Sequence, residues 1–138
     1  MNCVLFDSYN SYNDFGLILE DYDIASATRK TNYVSIPGRS GDLDLSDYLG
    51  VAYENREINI SFTKQVDRDD FVNFRTKLET ALNGNRMQVV FYNDTSYYWN
   101  ARIEKIEYSR INFNYINISM TLNAHPYKVN LTSGEEVL

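Results

Sequence analysis

The chain has 138 residues, with 19 acidic against 13 basic side chains and a net charge of -6. A chain of that length supports one core, and its acid excess argues against a phosphate-backbone binder, whose affinity comes from Lys and Arg displacing counterions. A single cysteine, Cys3, excludes an intrachain disulfide and a thiolate pair for zinc; no run has the roughly 20 apolar residues of a membrane span, and no export signal is visible.

Twelve Tyr and seven Phe weight the composition toward strands. Strands are predicted over 2–6 and 16–22, separated by a turn region rich in Ser, Tyr and Asn. Cys3 reads as a small buried apolar residue. Glu20 and Asp21, adjacent in a strand, are expected on opposite faces. With Asp23 they could be tried as a glycosidase pair, which needs two carboxyls about 5–9 Å apart and one in an apolar setting. Nothing marks any of them as buried, so they read as a solvated acidic edge.

A third strand over 31–36 is stopped by Pro37, and Ile36-Pro37-Gly38-Arg39 has Pro and Gly where a type II turn needs them. Gly41 adds a second corner, after which Asp42-Leu43-Asp44-Leu45 alternates before the sheet resumes at Tyr53. This long connection carries Leu43, Leu45, Tyr48, Leu49 and Val51, which something must cover. Two coverings are open on the residues alone: the domain's own core, or a neighbouring subunit. The spacing of Asp42, Asp44, Ser46 and Asp47 is a poor calcium loop, because Asp47 and Tyr53 stand where Gly and Glu are required.

A strand over 57–65 should place Ile58, Ile60 and Phe62 inward. A helix is predicted over 68–82, with Asp67 accepting from first-turn amides, Phe71, Phe74, Leu78 and Leu82 forming the apolar stripe, and Asn83-Gly84 at the stop. Three β segments follow, over 87–92, 97–108 and 111–123, with turns at Asn93-Asp94 and near Ser109-Arg110. The apolar phase slips near Glu104, where a bulge is expected, and again at Tyr115-Ile116. Tyr97 and Trp99 share a face opposite Tyr98, so one set belongs to the core, which weakens any sugar-stacking reading. His125 is the sole histidine. No nucleophile elbow, Walker loop or dinucleotide fingerprint occurs, so no catalytic, metal or cofactor residue is assigned. The expected fold is mainly β, an antiparallel sandwich or barrel with one packed helix, forming a single domain over 1–138 with a frayed tail over 132–138.

Tyr33-x-x-Ile36-Pro37-Gly38-Arg39-x-Gly41-x-Leu43-Asp44-Leu45, followed by Tyr53-Glu54-Asn55-Arg56, resembles the N-terminal domain of the Dit-like distal tail proteins of long-tailed phages and prophages. The helix, the Asn-Gly before Met87, Tyr97-Tyr98-Trp99 with Ala101-Arg102, and Ala124-His125-Pro126-Tyr127 fall in matching places. The resemblance implies a structural, non-enzymatic protein with a tail-tube-like β fold, forming a homohexameric ring at the virion tail tip. Its partners would be the tail tube protein, the tail-associated tip protein and the tape measure protein, with synthesis in the host cytoplasm and no specific nucleic-acid, membrane or cofactor binding. By the same analogy Pro37, Gly38, Arg39, Gly41, Leu43, Asp44, Leu45 and Leu49 form a belt onto a neighbouring subunit, with Arg56 serving it. Glu20, Asp21 and Asp23 are candidates for lumen charge. The competing expectation is a carbohydrate- or receptor-binding module of a tail or cell-surface apparatus.

Overall fold

The computed structural model describes residues 2–31, 33–44 and 52–138. Among the described residues, eleven strands and one helix follow in the order β1 (Val4–Phe6), β2 (Tyr9–Asn10), β3 (Ile18–Ile24), β4 (Tyr33–Ser35), β5 (Asp42–Asp44), β6 (Arg56–Gln65), α1 (Arg68–Leu82), β7 (Arg86–Phe91), β8 (Tyr97–Arg110), β9 (Tyr115–Ala124), β10 (Lys128–Asn130) and β11 (Glu136–Val137). The main sheet is antiparallel in the order β2-β1-β7-β8-β9-β6-β3. Its two ends curl toward each other. Tyr22 of β3 stacks on Phe91 of β7, with ring centroids 4.1 Å apart and planes 13° apart, and its hydroxyl donates to Asn93 Oδ1 across the seam. The result is barrel-like, with one dry interior.

Strict alternation fills that interior. Ile58, Ile60 and Phe62 of β6 pack against Ile116, Ile118, Met120 and Leu122 of β9. Leu78 and Leu82 of α1 are fully buried against them, while Phe71 and Phe74 pack at the margin. Two bulges keep the inward set in phase. The β8–β9 register shifts between Ile103 and Lys105, so Glu104 is the extra residue and both Ile103 and Ile106 face inward. A second shift, between Leu19 and Asp21, makes Glu20 the extra residue of β3, and Glu20 and Asp21 are both exposed rather than on opposite faces.

Other expectations need correction. Asp67 caps α1 through its backbone, with Asp70 N donating to Asp67 O at 3.2 Å, and its side chain makes no cap bond. The β8–β9 turn lies at 111–114, so β9 begins at Tyr115 and alternates without a phase change. Asn112 organises that turn by accepting from the amides of Asn114 and Tyr115. Cys3 is only half-buried, because it shares space with the Asn10 amide. The tail is not frayed: β11 pairs with β10, and Asn130 Oδ1 accepts from Thr132 and Ser133 to hold the turn.

Candidate assembly interface

The β3–β6 ribbon does not stop where the sheet stops. Past Ile24, Ala25 N still donates to Glu57 O of β6 at 2.9 Å, and beyond Arg56 Glu54 N donates to Thr28 O at 2.8 Å and Lys30 N to Ala52 O at 2.8 Å, with a bridge between Arg29 and Tyr53. The ribbon leads to β4 and β5, which form a separate two-stranded sheet. Tyr33 pairs with Asp44, Val34 with Leu43 and Ser35 with Asp42, so Val34 and Leu43 share one face of the hairpin.

The reversal is built as the sequence demands: Arg39 N donates to Ile36 O at 3.1 Å, and Gly38 and Gly41 have φ of +80° and +76°. Pro37, Gly38, Arg39, Gly41 and Asp44 are exposed, and Leu43 is half-buried. Leu45 and Leu49 lie outside the described residues. Tyr33, Val34 and Ile36 are exposed at 58%, 38% and 37%, and no hairpin residue belongs to the core. A hairpin of three-residue strands, alone in water, is marginal. In the single subunit Tyr33, Val34 and Ile36 are thus open to solvent, while Leu43 is only half-buried.

Arg56 is built into the arm's base. Its Nε donates to Ala25 O at 2.8 Å, one Nη reaches Pro126 O at 3.4 Å, and its guanidinium stacks on Trp99. Trp99 itself is 3% exposed. Tyr97 lies under the ammonium of Lys128, which also pairs with Asp94 at 2.7 Å. The aromatic triplet thus holds a corner of the fold, with its largest ring closed to any sugar.

The acidic candidates sit on the outer, polar face of the sheet. Asp21 stands in register with Ser61 and Asp23 with Asn59; Ser61 and Asn59 pair onward with Ser119 and Thr121 of β9. Glu20 accepts from Thr63 Oγ1, Ser61 Oγ and Asn117 Nδ2. The side chains Asn59, Ser61, Thr63, Asn117, Ser119 and Thr121 make this face uncharged between its acids.

Sequence reading missed a second exposed apolar group. Val72 of α1 is 67% exposed, Ile111 56% and Phe113 73%. A signal was present for Val72, which falls off the Phe71, Phe74, Leu78, Leu82 stripe. Phe113 between two turn-forming asparagines could have been found in the same way.

A curled antiparallel barrel with one helix and a projecting ribbon defines a class of β domain whose distinctive surface is an arm rather than a pocket. Residues 8–124 match the phage tail protein RIFT-related domain. The chain belongs to that family and is a structural phage tail protein. Among solved structures it is similar to the crystal structure of the Dit protein of SPP1, described as a paradigm of the hub adsorption apparatus in phages infecting Gram-positive bacteria. The TM-score is 0.74 at 13% identity, covering 94% of this chain and 52% of that one, so the chain spans about half the length of that relative. A chain from the virion of a native gene transfer agent particle aligns at TM-score 0.45 and 13% identity, covering 90% of this chain and 95% of that one. No curated protein matches the sequence.

Proposed function

We propose that this chain is the ring-forming domain of a distal tail protein. Six copies close head to tail into a ring at the virion tail tip, joining the tail tube protein on one side to the tail-associated tip protein on the other, with the tape measure protein as a further partner. Its role is architectural and not enzymatic, and it is made in the host cytoplasm. The belt is the arm ending in β4 and β5, carrying Pro37, Gly38, Arg39, Gly41, Leu43 and Asp44 and continuing into Leu45 and Leu49. Arg56 fixes the belt's root. Glu20, Asp21 and Asp23 charge the lumen.

The observation that carries this reading is the hairpin standing apart from the main sheet with Tyr33, Val34 and Ile36 exposed. Heterologous contacts of this kind close into a ring when the rotation per subunit is right. The test is light scattering across a concentration series for the wild type and for Val34→Asp with Leu43→Asp. The wild type should assemble with rising concentration, while the variant stays monomeric with an unchanged unfolding midpoint. A collapsed midpoint would assign the hairpin to its own core and remove the belt.

A further inference from the structure

Alternation along β6 carries a charge inward. Ile58, Ile60 and Phe62 face the core, and the next residue in phase is Lys64, which stands in register with the buried Ile116. Its side chain is half-buried, with the ammonium 5.3 Å from the centre of the Phe74 ring. Gly16, at φ +67°, makes the room: a side chain there would meet Lys64 Nζ at 2.5 Å. Lys77 of α1 comes to the same place. Its ammonium lies 5.6 Å from the centre of the buried Phe15 ring and donates to Asp14 O at 3.1 Å. Both lysines open into one groove of about 510 Å³ between the end of β6 and the start of α1, which Asp67, Asp70 and Asn73 also line. Among the described residues neither lysine forms an ion pair with a carboxylate, and the Lys64 ammonium donates to no protein acceptor. Partial burial first, then the Lys77 charge, holds the Lys64 pKa below its ordinary value. A charge drawn toward the core beside a like charge, with no partner, costs stability that an apolar residue in the same place would not.

We infer that the groove between Lys64 and Lys77 is a binding site for a carboxylate side chain carried on a peptide segment of a partner protein. Charge complementarity fixes the class of ligand: an oxyanion set between the two ammoniums gives both a partner and offsets their repulsion. Asp67 and Asp70 in the same lining narrow the choice. They repel a multiply charged phosphate, whereas they can accept from the backbone amides of a peptide. Gly16 and Phe74 hold the Lys64 ammonium at its position before any ligand arrives, so little side-chain freedom remains to be lost on binding. The site stands on this groove and does not depend on the proposed ring.

The test uses the full chain, isotopically labelled at the lysine Cε positions, titrated with a capped triglutamate peptide. Saturable shifts of the Lys64 and Lys77 signals are expected, with none at the exposed Lys105, and a capped trilysine peptide should move neither. Lys64→Met should weaken the peptide at least about tenfold while leaving the unfolding midpoint unchanged or higher, because the aliphatic stem over Phe74 is kept and the unpaired charge is gone. Equal shifts at every lysine, or inorganic phosphate binding the pair as tightly as the peptide, would overturn the site as assigned. So would a Lys64→Met chain that binds normally and unfolds earlier, which would make the ammonium a structural cation. Self-association that displaces the peptide would give the groove to a second copy and overturn the partner. Each of these failures leaves the ring standing.

Discussion

The guanidinium carbon of Arg56 lies 5.0 Å above the centre of the Trp99 ring, and the same group donates to Ala25 O and Pro126 O. One side chain thereby ties the root of the arm to β8 and to the corner between β9 and β10. Arg56→Ala should lower stability by about 1–3 kcal/mol, summing a lost cation–ring contact and a charged hydrogen bond. Arg56→Lys should recover little, because an ammonium cannot stack and fork at once. Urea midpoints for the three proteins check this.

Tyr108 donates to Glu79 Oε1 at 3.2 Å while Arg75 stacks on its ring. Burial first, then the Glu79 carboxylate, holds the phenol above its ordinary value. A phenol whose native pKa is raised keeps its proton where the unfolded chain has lost it. Its contribution is therefore complete below the unfolded value of about 10 and is lost as pH rises from there through the native value. Stability measured above pH 10 should fall more steeply in the wild type than in Tyr108→Phe. At neutral pH the variant should cost about 0.5–1.5 kcal/mol.

The seam of the barrel rests on Tyr22. Tyr22→Phe keeps the stack on Phe91 and loses only the bond to Asn93, so a loss of about 0.5–1.5 kcal/mol is expected. Tyr22→Ala removes both, and its unfolding midpoint should fall at least twice as far. Faster amide exchange in β3 would locate the opening at that edge.

If the outer sheet face lines a channel, its acids repel passing DNA. The assembled protein should not retain duplex DNA at physiological salt. Asp21→Lys with Asp23→Lys should create retention that weakens steeply as salt rises, measured by co-sedimentation at several ionic strengths. DNA retention by the wild type would refute the lumen assignment.

Much of the fold was legible because periodicity and turn chemistry agreed locally. The helix bounds, the inward triplet of β6, the bulge at Glu104 and the glycine corners at Gly38 and Gly41 all follow from neighbouring residues. The bulge at Glu20 did not, since Leu19 and Tyr22 show an inward phase only once β6 supplies the register. The β9 start misled because Ile111 and Phe113 look like strand residues, although Asn112 commits them to a turn. The C-terminal hairpin was hidden for a related reason: its strands are two and three residues long, and its stability comes from β8 rather than from its own sequence. The arm was visible as a leucine-bearing connection, but the exposure of Tyr33, Val34 and Ile36 was not, because exposure is a property of the whole surface.

The arm and the wall share one pair of strands. A pull applied at the hairpin runs along the axis of β6 into a ladder that holds β9 from Arg56 to Gln65. Force in that direction strains all the rungs together, whereas a crosswise force would break them one after another. A joint anchored in this way resists sliding far better than peeling.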